Sequence, residues 1–263
     1  YLRSYFGRSV FDKIDLIAVP NLPTGAMESA GLFSFRETLI LMPPNQRSLD
    51  RARWQALVLA HELVHHWWGN FVTMARWQDL WLTEGLATWL SGKAVEATHP
   101  SVKFGQMRSL NLMDLIGLEI MHSTPRLRPS VTQPDRDVSV LDGMSFGKSG
   151  AILKMMEAWV GPHLFQKAIR SYLTLRAYGV ADAETFLKYV STVSQKPLAH
   201  VFRWYFDQSG IPLVRMKLLC RGKQVELELS QERARHLNDH RGQGNPWSVP
   251  ICIRYGSADT HQK

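Results

Sequence analysis

The pattern of hydrophobic and polar positions favours strands near the start of the chain. An apolar run from Asp12 is stopped at Pro20, and a second run rich in Phe, Thr, Leu and Ile extends from Gly31 to Met42. Turn residues at 21–25 separate the two runs. We therefore predict a small β-region over about residues 12–42.

The middle of the chain has the apolar spacing of helices. The first predicted helix begins at a cap, Ser48 or Asp50, and continues to Gly69. Further helices, most of them ended by Gly or Pro, are predicted at about 79–98, 102–121, 146–160, 162–176, 181–194 and 197–208. The segment 123–143 contains three prolines and few apolar residues, and we interpret it as a loop.

The pattern changes again after Gly210. Strand-type alternation appears at 213–220, 224–229 and 247–254. We predict two domains: a largely helical body at 1–210 and a β-rich domain at 211–263. The second is too short to bury a good core alone, so we expect it to be the beginning of a larger domain.

Composition excludes several classes of protein. With 45% hydrophobic and 21% charged residues over 263 positions, the chain is neither disordered, collagen-like nor a coiled coil. It has no run of about 18 apolar residues, so we expect no transmembrane segment. No signal peptide is recognised at Tyr1.

Charge and cysteine content point to no special partner. The net charge is +8, but even the densest basic stretch, 231–242, includes acidic residues, which favours a solvated loop over a nucleic-acid surface. Cys220 and Cys252 are too few for a cysteine-only zinc site. They lie on predicted strands, where a disulfide and two free buried thiols both remain open. A disulfide would indicate an oxidising compartment. We therefore leave the location of the protein open, and favour the periplasm or secretion over the other compartments.

The chemistry is indicated by His61-Glu62-Leu63-Val64-His65. Residues four apart project from one face of a helix, so the imidazoles of His61 and His65 can hold one cation. Zinc accepts such nitrogens, needs a third protein ligand and keeps one position open for water. Glu62 lies where a general base would reach that water. We therefore predict one Zn²⁺ per chain.

Glu84 is the candidate third ligand. It lies nineteen positions after His65, and a helix, a turn and a returning helix would bring its carboxylate beside the histidine pair. His66 points about 100° further around the first helix, so we interpret it as a packing residue. Asp79 is either an acceptor for a zinc histidine or a surface acid.

Six tryptophans lie close to these helices in the sequence. We expect them to pack in the core and to form a rigid frame around the metal, rather than to stack on a ligand. They are Trp54, Trp67, Trp68, Trp77, Trp81 and Trp89.

At this point the sequence resembles the gluzincin aminopeptidases typified by aminopeptidase N. The resemblance covers about residues 5–215. It is carried by four segments in order: Gly25-Ala26-Met27-Glu28-Ser29, the stretch from His61 to Asn70, the stretch from Asp79 to Gly85, and Ser145-Phe146-Gly147-Lys148. The upstream Gly-Ala-Met-Glu loop distinguishes aminopeptidases from other gluzincins.

The resemblance implies an α+β fold. This is a thermolysin-like catalytic domain with a small β lobe and a helical lobe, followed by the start of a β-sandwich domain. The family also carries an N-terminal β-domain that contributes to the substrate pocket, and we expect such flanking domains to be missing here. The resemblance assigns Gly25, Ala26, Met27 and Glu28 to substrate binding, with Glu28 on the free α-amine; from the residues alone, Glu28 would be an ordinary surface acid.

Phe146 departs from the family pattern. The family has a tyrosine two residues before the lysine, and its hydroxyl stabilises the tetrahedral oxyanion. Phenylalanine keeps the ring and loses the donor, and no tyrosine between Tyr5 and Tyr172 replaces it. We predict a zinc-dependent aminopeptidase acting on peptides with a free N-terminus. The alternatives are a weakly active or inactive peptide-binding relative and a zinc endopeptidase.

Overall fold

The first described sheet has three strands. The computed structural model describes residues 1–46, 48–102, 104–122, 126–128, 143–222, 224–235, 242 and 244–253. After helix α1 (Leu2–Phe6), strand β1 (Asp15–Val19) pairs in parallel with β3 (Leu32–Arg36), and β2 (Ala26–Met27) pairs antiparallel with the other edge of β3. The predicted β-region is therefore confirmed.

The second predicted strand was too long. The chain turns into helix α2 (Glu37–Ile40) directly after β3. The ladder ends where Val19 faces Arg36, and the next residue on β1 is Pro20, which has no N–H to extend it. The apolar residues up to Met42 therefore lie outside the sheet.

The two predicted helices are α3 (Leu49–His65) and α4 (Leu80–Thr98), and α3 ends four residues before the predicted end at Gly69. Ser48 caps α3 by accepting a hydrogen bond from the backbone N–H of Arg51. Helix α4 is apolar around most of its circumference and is buried, because α3 packs on one side of it and α6 (Gly143–Val160) on another.

The remaining helices close the helical body. They are α5 (Phe104–His122), α7 (Pro162–Leu175), α8 (Ala183–Ser194), α9 (Leu198–Val201) and α10 (Arg203–Asp207). The predicted helix at 197–208 is thus divided in two. Helix α6 begins three residues earlier than predicted, inside the predicted loop 123–143; apart from 126–128, the rest of that loop lies outside the described residues.

A short parallel pair of strands joins the segment between α3 and α4 to the segment between α7 and α8. Strand β4 (Val72–Met74) pairs with β5 (Gly179–Ala181). Asp79, just before α4, accepts a hydrogen bond from the backbone of Ala183 at the start of α8. The buried Asp79 therefore supports this junction, and the expectation of a surface acid or an acceptor for a zinc histidine was wrong.

The last part of the chain is a hairpin of β6 (Pro212–Arg221) and β7 (Gln224–Arg233). The third predicted strand, 247–254, is not formed at 247–253. There the side-chain amide of Gln231 bonds both the N–H and the C=O of Trp247 and takes the place of a backbone ladder. Cys220 and Cys252 are free and exposed, so neither the disulfide nor the buried thiols are found.

Four of the six tryptophans behave as predicted. Trp67, Trp68, Trp81 and Trp89 are buried in the core, whereas Trp54 and Trp77 are 52% and 60% exposed and take no part in it. Trp54 and Trp77 lie on α3 and just before α4, on faces turned away from the helical core. In the described part of the chain, no helix is long and apolar enough to cross a bilayer.

Candidate metal centre and active site

Helix α3 places the two histidines of the motif side by side. The ring centroids of His61 and His65 are 4.7 Å apart, one turn from each other near the C-terminal end of the helix. His65 is almost completely buried, and His61 is partly accessible from one side. The arrangement predicted from the four-residue spacing is present.

Helix α4 brings Glu84 to the same point. Its Oε2 lies 3.1 Å from Nε2 of His61 and 3.6 Å from Nε2 of His65. Ligand atoms about 2.05 Å from a tetrahedral zinc lie about 3.3 Å from one another, so these separations fit a zinc ion of ordinary geometry. Two imidazoles and one carboxylate are also a donor set that zinc accepts.

The second ring nitrogen, Nδ1, of each candidate histidine ligand also has a polar partner. Nδ1 of His65 lies 2.9 Å from the carbonyl oxygen of Trp68, which fixes the N–H on that side and leaves Nε2 free as a ligand. Nδ1 of His61 lies 3.5 Å from the hydroxyl of Thr88, one turn after Glu84 on α4. Sequence reasoning missed both partners, although the spacing of Thr88 from Glu84 was a signal.

The electrostatics of the three candidate ligands are strongly coupled. Burial opposes the charged form of Glu84, but the hydrogen bond with His61 and the adjacent imidazole of His65 overcome it and lower its pKa to about 2. Burial likewise opposes the charge on His65, yet the nearby negative carboxylate of Glu84 raises its pKa to about 9. Burial lowers the pKa of His61. The site is therefore built around one carboxylate that is negative over the whole physiological range.

Glu62 lies beside the candidate ligands, and its carboxyl group has a much higher pKa than that of Glu84. It is buried, and this desolvation, with the negative charges of Glu28 and Glu84, raises its pKa to about 7 despite the opposing effect of His65. A carboxyl group that titrates near neutral pH can both accept and return a proton. This is the property that a general base requires.

Glu28 approaches the same cluster from the sheet. One carboxylate oxygen of Glu28, one of Glu62 and one ring nitrogen of His65 lie within 4.8 Å of one another. The structure thus brings together Glu28 and the helical motif, which are more than thirty residues apart in the sequence. Glu28 is half-buried, not a plain surface acid.

The three residues before Glu28 form the edge of the sheet. Ala26 and Met27 pair with Phe35 and Ser34 as strand β2. The carbonyl oxygen of Gly25 accepts a hydrogen bond from the backbone N–H of Arg36, and Gly25 has a φ of 89°, which favours glycine. The side chain of Met27 is 42% exposed.

Phe146, on α6, lies next to His61. Its ring lies 6.2 Å from the ring of His61, with an angle of 28° between the planes. Two residues on, Lys148 forms a buried ion pair with Glu119 of α5, with 2.6 Å between Nζ and Oε1, and its Nζ also donates to the carbonyl oxygen of Gly210. Phe146 therefore lies next to a candidate ligand, on a helix that this ion pair anchors.

His66 has the packing role predicted for it. Its ring contacts those of Phe11 and Phe33, with centroids 4.7 and 4.5 Å away. Burial and the neighbouring His65 lower its pKa to about 4, so it is neutral at physiological pH.

Known proteins are similar in sequence to this chain over most of its length. Residues 1–205 match the model of the peptidase family M1 domain. Aminopeptidase A of Gloydius brevicauda is 35% identical over 272 residues, which cover 99% of this chain and 27% of that protein. Glutamyl aminopeptidase of Homo sapiens is 33% identical over 256 residues, 95% of this chain and 26% of that protein. Aminopeptidase M1-D of Oryza sativa subsp. japonica is 31% identical over 251 residues, 95% of this chain and 28% of that protein. The chain spans about a quarter of the length of these curated relatives.

Proposed function

The chain belongs to the peptidase family M1, and we propose that it carries the catalytic site of a zinc aminopeptidase that hydrolyses the N-terminal peptide bond of peptides. One observation carries the proposal: the candidate ligands His61, His65 and Glu84 converge at one point, and the carboxylates of Glu62 and Glu28 lie beside them. The aminopeptidase names of the relatives support it.

His61, His65 and Glu84 would hold the zinc. Bound there, the ion supplies a Lewis acid for the scissile carbonyl and lowers the pKa of a water molecule to near neutral. Trp68 and Thr88 orient the two imidazoles for this task through their second nitrogens.

Glu62 would move the proton. As a base it accepts one proton from the attacking water, whose oxygen forms the new bond to the carbonyl carbon. As an acid it returns that proton to the peptide nitrogen when the carbon–nitrogen bond breaks. Its pKa of about 7 suits both steps near neutral pH.

Glu28 would select the substrate. A carboxylate a short distance from the ligands binds the α-ammonium of a peptide and fixes its distance from the first peptide bond. An N-blocked peptide offers no such cation. For this reason Glu28 favours an aminopeptidase over the zinc endopeptidase considered above.

Phe146 bears on the rate of the reaction. Its ring lies next to His61 but has no hydroxyl to donate to the oxyanion. Loss of one such donor typically costs about 100- to 1000-fold in kcat. This residue keeps the weakly active, peptide-binding alternative open.

We further propose that residues 1–210 are a thermolysin-like catalytic domain, with a small β lobe and a helical lobe, and that residues 211–263 begin a β-sandwich. The hairpin of β6 and β7 exposes Met216, Leu218 and Val225, which further chain of a longer protein would cover. The greater length of the relatives supports such flanking domains.

The test compares free and N-acetylated aminoacyl fluorogenic substrates, with acidic, basic and neutral side chains, before and after chelation. We expect cleavage of the free series alone, lost with the chelator and restored by zinc. Glu62→Gln should abolish turnover and retain zinc, whereas Glu96→Gln, on the exposed face of α4, should change neither. Unchanged activity of Glu62→Gln would refute the mechanism, and equal cleavage of both series would refute the role of Glu28.

A further inference from the structure

We propose that Asn70 is a positioning residue that fixes Glu28 relative to the metal ligands. This inference rests on the proposed function, because it concerns how the amine-binding carboxylate is held. Asn70 follows α3 by five residues, and nothing in the spacing of the zinc motif requires it. Its side chain nevertheless connects the two parts of the chain from which the site is assembled.

The backbone of Asn70 is fixed to the metal helix. Its N–H donates to the carbonyl oxygen of His65, with 3.0 Å between N and O. The preceding Gly69 has a φ of 134°, and a side chain there would place its Cβ 3.2 Å from the same carbonyl oxygen. The turn is therefore wrapped closely around His65, and Asn70 cannot move without disturbing it.

The side chain of Asn70 reaches the substrate loop. Its Nδ2 donates to the backbone carbonyl of Glu28 over 2.6 Å, a contact between residues 42 positions apart. The ladder of β2 with β3 ends at Met27, one residue before Glu28. Asn70 thus holds the loop just where the regular hydrogen bonding of the sheet stops.

The two hydrogen bonds of Asn70 together fix the distance between the backbones of His65 and Glu28. A path of two hydrogen bonds runs from the backbone of His65 through Asn70 to the backbone of Glu28. The carboxylate of Glu28 lies within 4.8 Å of ligand atoms of His65 and Glu62. If the loop shifts, the ammonium of a substrate no longer binds in register with the metal, while the metal itself is unaffected.

The test measures binding to the zinc-loaded full protein by calorimetry, so that turnover is not needed. The probes are leucine hydroxamate, which carries a free amine, and N-acetyl-leucine hydroxamate, which does not. In Asn70→Ala and in the similarly shaped Asn70→Leu, we expect the free-amine probe to bind about fivefold to tenfold more weakly, the effect of one lost hydrogen bond. Binding of the acetylated probe should stay unchanged.

A double-mutant cycle and a matched control separate positioning from a general structural effect. In a Glu28→Ala background, replacement of Asn70 should have no further effect, because the two residues act as one unit. Thr73→Val is the control, since it removes a 2.8 Å hydrogen bond to Gly69 in the same turn without contacting Glu28. Zinc content and the melting temperature establish that each variant is folded.

The outcomes distinguish the two proposals. A wild-type protein that prefers the free amine, with Asn70 variants that keep the same preference, would overturn the positioning role alone. Equal weakening of both probes, or loss of zinc, would also overturn it, because Asn70 would then support only the turn around His65. A wild-type protein without any preference would remove the proposed role of Glu28, and this inference with it.

Discussion

Replacement of Gly85 by Ala tests how closely the two helices of the site must approach. Gly85 follows the candidate ligand Glu84 on α4 and faces α6. A Cβ at this position would lie 2.8 Å from Cβ and 2.9 Å from Oγ of Ser149, and 3.1 Å from Cδ1 of Leu153. Ordinary contacts between carbon atoms are about 3.5–4.0 Å. Helices α4 and α6 must therefore separate by roughly 1 Å, or their side chains must leave their rotamers.

The magnitude follows from two opposing effects. Overpacking of this kind costs about 1–3 kcal/mol of the free energy of unfolding. Alanine is better than glycine in a helix by about 1 kcal/mol, which offsets part of the loss. We expect a net loss of up to about 2 kcal/mol, which lowers Tm by up to roughly 8 °C at this chain length. Since Glu84 is the neighbour of Gly85 on α4, a shift of this helix should lower zinc affinity as well.

The assay is thermal unfolding followed by circular dichroism, with zinc affinity measured by competition with a chelator. Gly117→Ala is the matched control, because Gly117 lies in helix α5 and no described atom lies within 4 Å of the point that its new Cβ would occupy; it should gain about 0.5–1 kcal/mol. Ser149→Gly should partly restore the stability of the Gly85→Ala variant, since it removes the two side-chain atoms nearest to the new Cβ. If Gly85→Ala were as stable as Gly117→Ala, the argument from close packing would be refuted.

Two further predictions concern the rate and the pH dependence of stability. Phe146→Tyr should raise kcat on free aminoacyl substrates about 100-fold while KM changes little, because the hydroxyl acts on the oxyanion; an unchanged kcat would show that this donor does not limit the rate. Asp182 caps α8 through the N–H and hydroxyl of Thr185, and these bonds lower its pKa although burial opposes them. The folded pKa lies below the unfolded value, so this stabilisation is present above about pH 4 and is lost as the pH falls through the folded pKa. Asp182→Ala should cost about 1 kcal/mol at neutral pH, whereas Asp182→Asn should keep most of the cap and remove this pH dependence, as urea unfolding at pH 3 and pH 7 would show.

Much of the site was predictable because its main parts are local. The spacing of His61 and His65 fixes their common face on any helix, and the polar cap at Ser48 marks where that helix begins. The carbonyl of Trp68 was not predictable in the same way, and for the hydroxyl of Thr88 only its position one turn after Glu84 was a signal. Their roles depend on the conformation of the turn that follows α3 and on how α4 packs against α3.

The errors in the fold have the same origin. Strands β4 and β5 have three residues each, too few to show alternation, and they pair only because the helices bring them together. The apolar alternation after Trp247 resembles a strand, but Gln231 satisfies the backbone of Trp247 with its side chain. A local pattern shows which residues prefer burial; it does not show which partner satisfies their backbone.

Phe146 and the intact ligand cluster bear on different steps of the proposed reaction. A buried carboxyl group such as Glu62 carries a desolvation cost, visible in its raised pKa, and Glu84 and His65 are buried beside it. Such groups lower stability unless they bind something, so their joint presence argues for a site that still holds zinc and the substrate amine. In the proposed reaction, the missing hydroxyl of Phe146 would affect only the developing oxyanion. For the proposed reaction we therefore expect tight binding of free N-termini and a slow chemical step, so that Phe146→Tyr raises kcat while KM changes little.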